Sequence, residues 1–199
     1  FAVGPFWVHP SHDAGGRPAG LLPLQIDAGL AFGTGTHATT RGCLEMLATL
    51  DPVETVNSVD VGCGSGILAI AMARLWQRPV LGGDNDAEAV VVAAENAGLN
   101  GVGALCRFVS AAGLTAPELA APEPYDLIVA NILAGPLIDL SDSFAAALRP
   151  GGHVLLSGLL VEQAACVLSG YRHRGFGFER RLDLETGGAW WRTLLLRRS

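Results

Sequence analysis

From residue 56 onward the chain alternates short apolar runs with longer stretches whose apolar residues recur every three or four positions. Val56–Val61, Val80–Gly83, Leu105–Val109, Leu127–Asn131 and Val154–Leu160 are short and bounded by turn residues, which is the pattern of buried strands. Ile67–Trp76, Ala87–Ala97, Pro136–Leu148 and Val161–Tyr171 carry helical periodicity, the third closed by Arg149-Pro150-Gly151-Gly152. Strands separated by helices predict right-handed crossovers and a mostly parallel sheet covered on both faces, an α/β fold. The rhythm breaks after Gly175. Phe176–Leu184 and Trp190–Arg197 are joined by Glu185-Thr186-Gly187-Gly188 with no room for a helix, so they read as a hairpin. The last strand must then run antiparallel to its partner, in a sheet of seven strands that is otherwise parallel.

The first 50 residues read differently. Phe1–Val8 and Leu22–Ile26 look like short strands around a polar, glycine-rich loop, and Asp27 to His37 holds too many glycines for a helix. A helix follows, with Thr39 or Thr40 as the expected N-cap and Cys43, Leu44 and Leu47 on one face. Residues 1–50 therefore form a leading segment of strands, loop and helix, and residues 51–199 the core, within one structural domain.

Composition narrows the chemistry. A chain of 199 residues, half apolar and 16% charged, suits one compact fold. None of its 13 basic residues is lysine, which removes Schiff-base lysines, pyridoxal-phosphate anchors and Walker-A phosphate clamps. No run approaches 18 apolar residues, so no membrane partner is expected. Cys43, Cys63, Cys106 and Cys166 lie far apart with no C-x-x-C pair, which predicts four structural thiols in a reducing cytoplasm. His9 and His12 are close in sequence, but no third ligand accompanies them, so no metal is expected.

The charge is uneven. Residues 1–169 carry 6 Arg and 16 acids, net −10, whereas residues 170–199 carry 7 Arg and 3 acids, net +4. An acidic body attracts a cationic, lysine-rich substrate, or is simply a solvated surface. The arginines of the tail alternate with Leu and Trp as on a strand, so direct nucleic-acid binding is not expected.

Asp60-Val61-Gly62-Cys63-Gly64-Ser65-Gly66 lies where a buried strand turns into a helix. Glycines there allow close approach of a ligand to the backbone, and the helix N-terminus offers unpaired N–H groups. Asp84 ends the next strand, 18 residues after Gly66, where a carboxylate can accept both hydroxyls of an adenosine ribose. The alternative is a plain turn with a surface Asp. The spacing is G-x-G-x-G rather than the G-x-G-x-x-G of a dinucleotide site, and no basic residue before Arg74 meets a diphosphate. An acid before the glycines suits a ligand with an ammonium and a sulfonium. Asn131, at the end of the strand from Tyr125, should face the same crevice, unless it merely caps a helix.

The Gly62–Gly66 loop is similar to the first motif of class I S-adenosylmethionine-dependent methyltransferases, whose Rossmann-like sheet ends in an antiparallel hairpin strand. Asn131-Ile132-Leu133-Ala134 departs from the Asn or Asp, two prolines and an aromatic of many amino-methyltransferases. Together with Ala31 to Thr40, Asp60 to Ile70, the run to Pro136 and Ser157-Gly158-Leu159-Leu160, it closely resembles the bacterial methyltransferases of large-subunit ribosomal protein eleven (PrmA-like) over most of residues 20–165. The resemblance implies S-adenosyl-L-methionine held by Thr40, Gly62, Gly64, Asp84 and Asn131, with Asn131 orienting the amine. It implies N-methylation of lysine and terminal amino groups of a ribosomal protein, and a small separate N-terminal recognition domain that residues 1–199 do not contain. The chain opens on Phe1 rather than Met, which leaves room for a segment upstream. A monomeric cytoplasmic enzyme is expected. The competing readings are a methyltransferase of another lysine-bearing protein or a small amine, a non-catalytic cofactor-binding module, and a nicotinamide oxidoreductase. His37 could be a base, although methyl transfer from a sulfonium needs chiefly a neutral amine and an in-line approach.

Overall fold

A computed structural model describes residues 1–13, 16, 18–27, 37–51, 55–119 and 124–199. A small sheet comes first, from β1 (Ala2–Val3), β2 (Phe6–His9) and β3 (Leu22–Gln25), with β1–β2 antiparallel and β2–β3 parallel. Helix α1 (Ala38–Leu47) leads to alternating elements: β4 (Ser58–Val61), α2 (Ile67–Trp76), β5 (Val80–Asp84), α3 (Ala87–Leu99), β6 (Cys106–Ser110) and β7 (Tyr125–Asn131). Two short helices, α4 (Ala134–Asp139) and α5 (Ser141–Ala147), precede β8 (Leu148–Leu160), α6 (Ala164–Arg172) and the hairpin of β9 (Phe176–Thr186) and β10 (Ala189–Arg198).

The seven strands of the main sheet lie in the order β6-β5-β4-β7-β8-β10-β9. Among the described strands of this sheet, β10 alone is reversed, antiparallel to both β8 and β9, as the missing crossover helix required. Because both faces are covered, the middle strand β7 carries a continuous apolar run, Leu127 to Ala130, rather than an alternating one. Along β7, Leu127 and Val129 enter the core beneath α1 and α2, while Ile128 and Ala130 enter the core beneath α4 to α6. Helix α2 is buried from Ile67 through Ala73, since the small sheet covers the side that the main sheet leaves open. An apolar helix with no polar face before Arg74 is stable only when covered in this way.

Four expectations are corrected. The predicted helix over 136–148 is two helices meeting at Leu140, whose backbone ends one and opens the other. Arg149 to Gly152 does not end an element. It bulges from β8, whose pairing with β7 passes from Tyr125↔Leu148 to Leu127↔His153, with Gly151 at φ +77°. The N-cap of α1 is His37, whose ring accepts from the Thr39 N–H, so Thr39 and Thr40 lie inside the first turn. Of the four cysteines, Cys43 and Cys63 are buried and Cys106 is half-buried, but Cys166 is exposed and serves no core. Among the described residues, no helix is long and apolar enough to cross a membrane.

Candidate active site

The turn from β4 into α2 places Gly62, Gly64 and Gly66 at φ +72°, +52° and +78°. A side chain at Gly62 would put its Cβ 2.3 Å from Ile132 Cγ2, and one at Gly66 would meet Ala93 of α3 at 2.9 Å. Glycine is thus required twice over, by conformation and by space. The N–H groups of Gly62 and Cys63 both donate to the Gly83 carbonyl, at 2.7 and 3.1 Å, which ties the turn to the end of β5.

Asp84 completes that tie. One carboxylate oxygen accepts from Gly64 N–H at 2.8 Å and the other from Asp86 N–H at 3.0 Å. An ionised carboxylate has about four lone-pair sites, so two are left for ligand hydroxyls. Asp84 therefore shapes the glycine turn as well as standing where a ribose is expected, a structural duty that its spacing alone did not reveal.

Asp60 has a role the motif concealed. Gly66 is the N-cap of α2 and has no side chain to cap it, so Asp60, buried in β4, supplies the acceptor for the Ala69 N–H at 3.1 Å. Its other oxygen is buried with no partner among the described residues. Burial pushes the carboxyl up to about 7; the Ala69 N–H works against the rise and the Asp84 charge adds to it. An unpartnered buried acceptor beside three glycines fits a ligand that brings a positive charge and hydrogen-bond donors.

The other wall comes from the end of β7. Asn131 is not a helix cap: α4 begins after Leu133 and has no side-chain cap. Its amide nitrogen donates to Thr40 Oγ1 at 3.3 Å, and its oxygen has no hydrogen-bond partner among the described residues. The next residue, Ile132, is the one that packs on Gly62. Thr40, Asn131, Ile132 and Gly62 thus form a continuous edge, and Gly64 and Asp84 continue it. All five site residues expected from sequence belong to this edge.

The first turn of α1 is held there by the C-terminal strands. Ser157, paired in register with Asn131, donates to the Thr39 carbonyl at 3.2 Å and lies 3.0 Å from Thr193 Oγ1 on β10. The His37 ring stands edge-on to Trp191 at 4.7 Å between centroids, and the Trp191 indole N–H is buried without a partner among the described residues. None of these side-chain contacts spans fewer than 36 residues, so no local spacing could disclose them. Of the glycine-threonine run, residues 31–36 lie outside the described residues. A cavity of about 470 Å³, lined in part by Gly151, Phe178 and Arg197, opens where β8 begins and is remote from this edge.

Comparison with known proteins places the chain in a family. The family model described as ribosomal protein L11 methyltransferase (PrmA) matches residues 1–198. The ribosomal protein L11 methyltransferase of Rhodopseudomonas palustris (strain BisB5) is 48% identical over 195 residues, covering 98% of this chain and 65% of that protein. Its counterpart in Brucella abortus (strain S19) is 47% identical over 184 residues, covering 92% and 65%. The chain thus spans about 65% of the length of these relatives. The crystal structure of ribosomal protein L11 methylase from Lactobacillus delbrueckii subsp. bulgaricus superposes with a TM-score of 0.78 at 31% identity, covering 96% of this chain and 93% of that one. The seven-stranded sheet with one antiparallel strand is the Rossmann-like sheet of the class I methyltransferases. A family match over nearly every residue, close relatives and a shared fold lead to one conclusion: this chain belongs to the ribosomal protein L11 methyltransferase family.

Proposed function

We propose that this chain transfers methyl groups from S-adenosyl-L-methionine to lysine or N-terminal amino groups of ribosomal protein L11. The observation that carries the reading is the edge joining Asn131, held on Thr40, to the Gly62–Gly66 turn. It supports a reading in which the Asn131 amide oxygen meets the amine beside a turn suited to a cationic, ribose-bearing ligand.

Gly62 and Gly64 would border the amino-acid part of the cofactor, and Asp84 would accept from the ribose. The unpartnered oxygen of Asp60 supports the fit, because it offers negative charge near the glycines. When bound, the cofactor supplies a methyl group on a sulfonium. The protein has to bring a neutral amine into line. The Asn131 oxygen accepts one N–H of that amine and so aims its lone pair, while the amide nitrogen, committed to Thr40, keeps the carboxamide from turning. Catalysis then rests on alignment. A net charge of −6 supports a cationic protein substrate rather than nucleic acid, and the reading is of a monomer acting in the cytoplasm.

The test is transfer of labelled methyl groups to purified ribosomal protein L11, with calorimetry against S-adenosylhomocysteine and NAD. Label should enter amino groups, and S-adenosylhomocysteine should bind more tightly than NAD. Tighter NAD binding overturns the cofactor reading. Label on other amine-bearing proteins but never on L11 overturns the choice of target.

A further inference from the structure

Asn96, in the last turn of α3, is 1% exposed and has no part in the edge described above. Its amide nitrogen donates to the Ser65 carbonyl at 2.9 Å and to the Asp27 carbonyl at 3.3 Å, and its oxygen accepts from the Asp27 N–H at 3.0 Å. One side chain thereby joins the glycine turn to the segment that leaves β3 toward residues 28–36. Ser65 stands between two residues of positive φ. The peptide that follows it is held at both ends, since its carbonyl meets Asn96 and its N–H, that of Gly66, donates to Cys63 O at 2.8 Å.

Asn100, one helical turn later, is built almost identically and differs in one respect. It clasps Gln25 through both backbone groups, at 2.9 and 2.7 Å, but its third bond goes to the Asn96 carbonyl and not to the turn. The two asparagines dock β3 on α3 in the same way. Only Asn96 also reaches the glycines.

We infer that Asn96 is a positioning residue for the cofactor site, setting the Ser65–Gly66 peptide and thus the shape of the turn before the ligand arrives. The inference rests on the reading of Gly62–Gly66 as the S-adenosylmethionine turn. A turn rich in glycine has many conformations open to it, and the restriction supplied by Asn96 lowers the ordering that binding would otherwise have to impose. Coupling also runs in reverse: a ligand that orders the turn steadies Asn96 and, through it, Asp27.

The test measures affinity for S-adenosylhomocysteine in the wild-type chain, Asn96→Ala and Asn100→Ala, well below each melting temperature. Both substitutions should lower Tm, because each removes a buried clasp. Asn96→Ala should also weaken binding by about tenfold, the equivalent of one well-made hydrogen bond, while Asn100→Ala should change it less than about twofold. Equal losses, or none, overturn the inference. A folded wild-type chain that does not bind overturns the reading of the turn instead. Should Asn96→Ala not fold, hydrogen exchange in the wild-type chain decides. Added S-adenosylhomocysteine should slow exchange of the Asp27 N–H, held by Asn96, and leave that of Gln25, held by Asn100, unchanged. Unchanged protection at Asp27 refutes the coupling.

Discussion

Asn131 donates to Thr40 Oγ1 at 3.3 Å across 91 residues of sequence, so the end of β7 and the first turn of α1 share one hydrogen bond at the proposed site. Asn131→Ala should lower kcat by on the order of 10², since small misplacements of an attacking group cost that much. Cofactor affinity should fall less, and Tm should hold because Asn131 caps no helix. Thr40→Val, which removes the hydroxyl that holds the carboxamide, should cost about tenfold. Methyl incorporation under single-turnover conditions measures both. A drop in Tm with turnover intact would make Asn131 structural.

The rate should rise with pH. A lysine amine titrates near about 10.4 and a terminal amine near about 7.7–8.0, so at neutral pH most of the substrate is protonated and has no lone pair to offer. The initial rate at saturating cofactor, followed from pH 6 to 9, should climb up to tenfold per unit while the protonated form dominates. A flat profile would place a slow step after or before methyl transfer.

Asp84→Ala removes the acceptor of Gly64 N–H together with the proposed ribose ligand. Affinity for S-adenosylhomocysteine should fall by about 1.5–3 kcal/mol, the range for hydrogen bonds to a charged group. Isothermal calorimetry gives the number directly. Unchanged affinity in a folded variant would move the ribose elsewhere.

Asp60 gives the fold a pH dependence of a particular sign. Its folded-state carboxyl is raised to about 7 from an ordinary value of 3.8, so between those values the native state binds the proton that the unfolded chain has lost. This group's contribution to stability therefore declines from about pH 4 to pH 7 and levels off above, by up to a few kcal/mol. In Asp60→Asn, which still offers an oxygen to Ala69, that decline should disappear, as urea melts at pH 5 and pH 8 would show. The same pH slope in the wild-type chain and in Asp60→Asn would contradict the assignment.

Gly62→Ala meets two separate obstacles. Its φ of +72° disfavours any Cβ, by about 1 kcal/mol or more, and contact with Ile132 adds overpacking of about 1–3 kcal/mol. Trimming the neighbour in Gly62→Ala/Ile132→Ala should relieve the contact and not the conformation. A double-mutant cycle from denaturant melts should therefore show favourable coupling between the two substitutions. Strict additivity would mean that only conformation matters.

What the sequence disclosed was whatever depends on neighbours along the chain. Ile67–Trp76 is a helix to the residue because a buried helix announces itself by an unbroken apolar run. The hairpin after Gly175 was legible because no helix fits between its strands. The bulge at Arg149–Gly152 was not, since Pro-Gly-Gly signals a change of direction and says nothing about whether pairing resumes beyond it. At the site, strand ends placed Asn131 and Asp84 together. The partners that hold them, Thr40 for one and Gly64 N–H for the other, became visible only in three dimensions, as did the capping of α2 from inside a strand.

The first helix and the last strand of this chain are interlocked. Gly42 leaves so little space that a Cβ there would lie 2.3 Å from Thr193 Oγ1, and Thr193 meets the same Ser157 hydroxyl that holds Thr39. Helix α1 is therefore set in its final place only by a strand about 150 residues further along the chain. The proposed catalytic edge depends on both being present, and a product truncated before residue 189 would keep the glycine turn yet lack the wall against which Thr40 is set.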